Sequence, residues 1–149
     1  MLRIYLDNCC YNRPYDDQSQ LSISLEAQAK LHIQEKIREN RYELASSDML
    51  NYEVHNSPYE TQENAISEFL IKNVSIYVGD NKQEEVDSLA NEIMTTGVKY
   101  KDACHVASAI IAGCDAFLST DKRLLKYQSD RIKIMNPIDF IQEMEDPDD

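Results

Sequence analysis

The sequence predicts an α/β protein: a three-layer α/β/α sandwich around a central, mostly parallel, doubly wound sheet. Short apolar, β-branched segments alternate with longer segments of helical periodicity, which is the order that βαβ units require. The 149 residues include only 3 Gly and 4 Pro, too few for a loop-built or low-complexity chain. This length suits one domain, which we predict over residues 1–141, followed by an acidic tail over residues 142–149.

The first part of the chain is predicted to form a strand, a loop and a long helix. Arg3–Leu6 is a short apolar segment that ends at the polar residue Asp7, as a buried strand does. The polar segment Tyr11–Gln20, which contains Pro14, is predicted to be a loop. From Leu21 to Asn40, apolar residues recur at every fourth position, which describes one face of a helix.

The middle of the chain is predicted to hold two further strands, Tyr42–Ser46 and Val74–Val78. Two helical stretches lie between them, one capped by Ser47 or Asp48 and one that begins after Pro58. Ser and Asp are preferred caps, and Pro interrupts a helix.

The last part is predicted to form two helices and two strands. The first helix spans Val86–Met94 and ends before Gly97, and the second spans Ala103–Ala112 and is opened by Asp102. The strands are Ala116–Ser119 and Ile132–Met135.

Charge and cysteine content limit the functional classes. The chain has 15 Lys and Arg against 27 Asp and Glu, a net charge of −12, which argues against non-specific binding to nucleic acid or an anionic membrane. The 4 cysteines lack the spacing of a zinc site. No segment resembles a signal peptide or a membrane span, so we expect a cytoplasmic protein with no membrane association.

Four acids stand out by their positions. Asp7 and Asp121 follow predicted strands, and Glu53 and Asp102 lie near helix starts. Ligands of open α/β sheets bind at the carboxyl ends of the strands, and carboxylates gathered there would need a cation, because like charges raise each other's pKa. Oxygen ligands select Mg²⁺ or Mn²⁺. Taken singly, each acid has another interpretation, as a turn former or helix cap.

Four blocks of sequence carry a family resemblance: Ile4–Asn8, Ser46–Glu53, Asp102–Ala109 and Cys114–Asp121. The last two are the more specific, since an Asp that opens an alanine-rich helix is followed by a strand that ends in Ser-Thr-Asp. Together the blocks resemble the PIN domain, a metal-dependent nuclease fold that includes the VapC-type toxins of bacterial toxin–antitoxin pairs. The similarity spans essentially the whole chain, although Asn8 stands where many family members have a hydroxyl residue.

The resemblance implies a single-strand-directed endoribonuclease, the toxin of a toxin–antitoxin pair. Asp7, Glu53, Asp102 and Asp121 would be the catalytic residues and would bind one or two Mg²⁺ or Mn²⁺ ions, directly or through water. Metal-activated water would cleave the phosphodiester and leave a 5′-phosphate and a 3′-hydroxyl. The implied partners are a single-stranded RNA substrate, an antitoxin protein and a second copy in a homodimer.

Further side chains are assigned supporting roles. Residues expected to orient carboxylates or water by hydrogen bonds are Asn8, Ser119 and Thr120. Cations expected to contact phosphate are Arg13, Lys101, Lys122 and Arg123. Tyr11 and Tyr15 are the candidates for stacking on bases. His105 is expected to pack or to bond within its helix, with contact to the metal or substrate as the alternative.

The segment Lys99–Lys133 carries seven bases against four acids, so half of the expected site is locally basic. The net charge therefore argues only against broad, non-specific binding of nucleic acid. We expect weak, metal-dependent binding of a short single-stranded segment.

Three alternatives stay open. One is a non-catalytic PIN-fold module that binds a protein. A phosphoryl-transfer enzyme of the haloacid-dehalogenase kind needs a second Asp two residues after the first, where this chain has Cys9. A response-regulator receiver needs a phospho-accepting Asp after a middle strand, for which Asp80 is the candidate.

Overall fold

The computed structural model describes residues 1–145, which form a five-stranded sheet flanked by helices. The strands are β1 (Leu2–Leu6), β2 (Tyr42–Ser47), β3 (Val74–Val78), β4 (Ala116–Leu118) and β5 (Lys133–Met135). The helices are α1 (Asn8–Asn12), α2 (Leu21–Arg38), α3 (Asp48–His55), α4 (Glu60–Asn73), α5 (Gln83–Met94), α6 (Tyr100–Ile111) and α7 (Pro137–Glu143). Neighbouring strands pair in parallel in the order β3-β2-β1-β4-β5.

Both faces of the sheet are covered. Ile4, Tyr5 and Leu6 are consecutive residues of β1, and each is 0% exposed. Because side chains alternate between the faces of a strand, three buried residues in a row require packing on both sides. Helices α2 and α7 pack against each other, as do α5 and α6, and both α2 and α6 contact β2. This confirms the predicted α/β/α sandwich.

The strand order reverses beside β1, which lies between β2 and β4. Asp7 follows β1 and donates its backbone N–H to the Leu118 carbonyl at the end of β4, over 2.9 Å. The carboxyl ends of β1 and β4 therefore adjoin at a topological switch point, where open α/β sheets bind their ligands. Strand β3 lies at the sheet edge, so Asp80 does not follow a middle strand and the receiver interpretation is wrong.

The prediction of a loop over Tyr11–Gln20 is wrong for the first part of that segment. Helix α1 spans Asn8–Asn12, and Arg13–Tyr15 form a 3₁₀ turn. The Asp7 carboxylate caps α1 by accepting the Asn8 backbone N–H at 2.8 Å. A helix this short has no apolar periodicity to reveal it, so polar composition was a misleading signal.

Several element ends also differ from expectation. Helix α2 ends at Arg38, two residues before Asn40, which has a left-handed φ of 61°. Helix α6 begins at Tyr100, so Asp102 lies inside its first turn. Helix α7 was not expected at all, although Asn136 caps it by accepting the Ile138 backbone N–H at 2.9 Å.

The acidic tail is expected over residues 142–149, of which the structure describes residues 142–145. Gln142 and Glu143 belong to α7. Glu145 bonds to His32 Nε2 at 2.9 Å and pairs with Lys36 at 3.1 Å. Residues 146–149 lie outside the described part of the chain. None of the described helices has the length and apolar character needed to cross a membrane.

Candidate active site

Asp7 is held in a buried position at the switch point. Its side chain is buried and accepts a hydrogen bond from the Ser119 hydroxyl at 3.0 Å. The Cys9 thiol, brought back by the first turn of α1, lies 3.4 Å from the same carboxylate oxygen. Burial raises the pKa of Asp7, while His105 and the Ser119 hydrogen bond act in the opposite direction. The carboxylate is therefore an acceptor whose negative charge is only partly compensated.

Glu53 lies at the end of a buried chain of hydrogen bonds. Its Oε1 is 2.6 Å from His105 Nε2, and His105 Nδ1 is 2.7 Å from the Tyr5 hydroxyl. The Tyr5 hydroxyl is in turn 2.6 Å from Ser47 Oγ. Tyr5, Ser47 and His105 are all fully buried or nearly so, so three elements, β1, β2 and α6, fix the position of one carboxylate.

The hydrogens of this chain have one self-consistent direction. Ser47 Oγ already accepts the Leu50 backbone N–H at 3.2 Å, which leaves its own hydrogen for Tyr5. Tyr5 then donates to His105 Nδ1, and His105 Nε2–H donates to Glu53, because an ionised carboxylate can only accept. Each hydrogen-bonding atom of this network, from Ser47 Oγ to Glu53 Oε1, therefore has a partner, which a buried network requires.

The electrostatic surroundings keep Glu53 ionised. Burial acts to raise its pKa, but the hydrogen bond from His105 and the positive charge of Lys101 outweigh it, so the pKa lies below its ordinary value. The Asn8 side chain contributes by hydrogen bonding in the same direction. Asn8 is expected to orient a carboxylate or water, and the side chain on which it acts here is Glu53.

Asp102 and Asp121 form the more open part of the site. Burial and the charges of Asp7 and Asp121 raise the pKa of Asp102 to about 6, and Glu53 adds to the rise. Asp121 accepts the Arg123 backbone N–H at 2.9 Å and donates its own N–H to Ser119 Oγ at 3.1 Å. Ser119 thus links Asp7 to Asp121, and the other three predicted acids are close enough to influence the pKa of Asp102.

A cleft of about 830 Å³ opens beside Asp102 and Asp121. We call it the cationic cleft, because the charged side chains that line it besides these two acids are all bases: Lys99, Lys122, Arg123 and Lys126. It also includes the aromatic ring of Tyr127. Two acids and four bases among the lining residues suit a bound metal next to a polyanion.

Other predicted residues are placed less favourably. The Arg13 guanidinium is occupied by Glu26 at 2.9 Å and Asp16 at 3.0 Å. Thr120 donates its backbone N–H to Cys9 Sγ at 3.3 Å. Tyr11 is 0% exposed, so the expectation that it stacks on bases is wrong. Its position in the short helix α1 turns the ring into the core, where it packs near Phe69.

The chemistry of the four acids bears on whether they could hold a divalent metal. Four carboxylates, of which three raise the pKa of the fourth, Asp102, suit a hard cation, which would relieve their repulsion. Within residues 1–145, however, no group of three or more His, Cys, Asp or Glu side chains is arranged so that it could hold a metal ion. The acids fit the metal by chemistry and charge, without a closed coordination shell.

Sequence reasoning missed several participants. Tyr5 and Ser47 act through His105, and nothing in their local sequence predicts that contact across 100 residues. Cys9 could have been found, because it lies two residues from Asp7 in the sequence. Lys99 and Lys126 belong to the basic segment recognised in the sequence but join the cleft only through the fold.

Comparison with known proteins bears on the fold. No sequence-family model and no curated protein sequence matches the chain. Among solved structures, VapBC2 from Rickettsia felis, bound to a DNA fragment from their promoter, has a TM-score of 0.56 at 13% identity, covering 91% of this chain and 98% of that one. FitAcB from Neisseria gonorrhoeae has a TM-score of 0.55 at 14% identity with the same coverage. At such identities the likeness establishes the fold alone.

Proposed function

We propose that this protein is a divalent-metal-dependent endoribonuclease that hydrolyses single-stranded RNA. One observation carries the proposal: the charges of Asp7, Glu53 and Asp121 converge on Asp102 at the carboxyl edge of the sheet, beside the cationic cleft. Carboxylates alone would repel an RNA phosphate. A metal bound by the acids, together with the bases along the cleft, would replace that repulsion with attraction.

Asp7, Glu53, Asp102 and Asp121 would hold one or two Mg²⁺ or Mn²⁺ ions. When bound, the metal supplies an activated water and neutralises charge on the phosphate. His105 and Asn8 hold the Glu53 carboxylate, and Ser119 holds Asp7. Lys122 and Arg123 hold the strand by its phosphates, with Lys99 and Lys126 extending the same surface.

The proposed biological setting is a toxin–antitoxin pair. The sequence resembles VapC-type toxins, and the VapBC2 structure shares the fold. We propose an antitoxin protein as partner and a homodimer as the assembled toxin. Light scattering of the chain alone, and again after co-expression with a protein encoded beside it, tests both partners.

The nuclease activity is tested on labelled single-stranded RNA with Mg²⁺ or Mn²⁺. We expect metal-dependent cleavage that falls by more than about 100-fold in Asp7→Asn and Asp121→Asn, since even groups that only orient metal ligands are worth about 10–100-fold. Asp130→Asn is the matched control, because Asp130 is exposed and precedes β5, at the opposite edge of the sheet. Cleavage without metal, or unchanged in both variants, would reject the proposal.

A non-catalytic protein-binding domain is the second candidate. The absence of a closed metal-binding group among the described residues favours it. Calorimetry separates the two functions: a nuclease binds Mn²⁺ with an affinity that Asp102→Asn weakens, whereas a pure binding module takes up no Mn²⁺ and binds its protein partner regardless.

A further inference from the structure

A second cavity lies across the first turn of α6 from the cationic cleft. Its volume is about 230 Å³, and the side chains that line it include Asp48, Tyr52, Gln83 and Tyr100. Lys99 and Asp102 line the cationic cleft, whereas Tyr100 between them lines this cavity. The two cavities therefore lie on two sides of the first turn of α6, which carries Asp102, and a single extended ligand could reach both.

Two tyrosines border the second cavity with much of their surface open. Tyr52 is 55% exposed and Tyr100 is 47% exposed. Tyr52 directly precedes Glu53, and Tyr100 precedes Asp102 by two residues. Exposed rings that border one cavity form a stacking surface for a planar group. Both expected stacking residues, Tyr11 and Tyr15, lie elsewhere, against α2 and α4.

A cation accompanies the rings. Lys101 Nζ lies 5.6 Å from the centroid of the Tyr52 ring, within the range of a cation–π contact. Its charge also acts on Glu53, whose pKa it lowers. Lys101 thus lies between the tyrosine and the acids, where the phosphate attached to a stacked base would pass.

The cavity includes a charged group, the Asp48 carboxylate, that can only accept hydrogen bonds when it is ionised. The Asp48 carboxylate accepts from the Tyr77 hydroxyl and has further acceptor capacity. Gln83 Nε2 donates to Asp87 at 2.8 Å, which leaves its second hydrogen as a donor and the Gln83 carbonyl oxygen as an acceptor. A carboxylate repels a phosphate but accepts from an amino group. The cavity is also smaller than the roughly 300–1,000 Å³ of sites for larger ligands, so one base fits it best.

We propose that this cavity binds one nucleobase of a single-stranded RNA, stacked on Tyr52 and Tyr100, and that it favours bases with an exocyclic amino group over uracil. The inference rests on the proposed nuclease function and adds the determinant of base preference. The phosphates would follow the cationic cleft, and the base beside the acids would enter the tyrosine cavity.

The test is RNA binding by fluorescence anisotropy with the full wild-type chain, with Ca²⁺ in place of Mg²⁺ and the RNA checked for cleavage afterwards. The probes are seven-nucleotide adenosine strands with one abasic position moved along the series. We expect Tyr52→Ala and Tyr100→Ala each to weaken binding about 5- to 100-fold, the range for loss of one base stack. Tyr52→Phe and Tyr100→Phe should stay within about twofold, because a phenylalanine ring still stacks.

Tyr59→Ala is the matched control, since Tyr59 is 62% exposed and precedes α4. An abasic site at one position of the strand should reduce the affinity of the wild type by the same factor as the Ala substitutions do. It should have no further effect in the Ala variants. Uridine strands should bind the wild type more weakly than adenosine strands. Wild-type affinity in both Ala variants, or equal affinity for every abasic strand, would overturn the base site and leave the nuclease proposal standing if cleavage persists. A wild-type chain that neither binds nor cleaves any strand rejects both.

Discussion

The two halves of the acidic site are built differently. Asp7 and Glu53 are held by buried partners, Ser119 for the first and His105 for the second. Asp102 and Asp121 border an open cleft, and Asp121 makes local hydrogen bonds to Ser119, Arg123 and Leu125. The buried half resists change because its groups are fixed by three elements, whereas the open half can adjust to what it binds. We expect stability to depend on the first half and substrate affinity on the second.

The largest expected effect lies in the buried half. His105→Ala removes the partner of both Glu53 and Tyr5 and should lower the free energy of unfolding by about 3 kcal/mol or more, since each buried group left unpaired costs about 1–3 kcal/mol. Urea unfolding measures it. The control, His55→Ala, alters a half-exposed side chain and should change stability by less than about 0.5 kcal/mol. If His105→Ala and His55→Ala lower the free energy of unfolding equally, the buried half does not contribute to stability as we expect.

Ser119 connects the halves, so its loss should affect metal binding more than stability. Ser119→Ala removes the hydrogen bond to Asp7 and the acceptor for the Asp121 N–H. We expect Mn²⁺ affinity to fall by about 10–100-fold, measured by calorimetry. Ser129→Ala, at a hydroxyl that only accepts from the Arg131 backbone N–H, is the comparison, and its Mn²⁺ affinity should match the wild type.

The open half should respond to pH. The folded pKa of Asp102 is raised from 3.8 to about 6, so the folded chain binds this proton more tightly than the unfolded chain does. Without metal, the ionised group therefore destabilises the fold as pH rises from about 4 through about 6. Asp102→Asn should raise the melting temperature at pH 7.5, and the gain should disappear near pH 4. A gain that is constant with pH would contradict this origin.

The smallest effect is expected on the wall of the cationic cleft. Lys122→Ala should leave the melting temperature unchanged and weaken RNA binding modestly, with the slope of log affinity against log salt falling by about 1. Lys72→Ala is the control, because Lys72 is exposed and pairs only with Glu68 on α4. If Lys72→Ala changes the slope of log affinity against log salt as much as Lys122→Ala does, the RNA does not bind along the cationic cleft.

Local sequence determined much of this molecule. β-Branched and apolar segments predicted all five strands, because a strand buried on both faces is marked by continuous apolar residues. The positions of Asp7 and Asp121 after strands were enough to predict that they adjoin, since parallel strands bring their carboxyl ends to one edge. The short helix α1 was not predicted, because five residues are too few to show a helical periodicity. The burial of the Tyr11 ring was therefore not predicted either.

Only the tertiary structure decided which side chains meet. His105 bonds to Glu53 across 52 residues, and Tyr100 shares a cavity with Tyr52. Neither contact has a local sequence signal, because each depends on how α3 and α6 pack over the sheet. Folding also gives a chain of net charge −12 a cleft whose charged lining residues are mostly bases. Composition fixes total charge, while folding fixes where each charge lies.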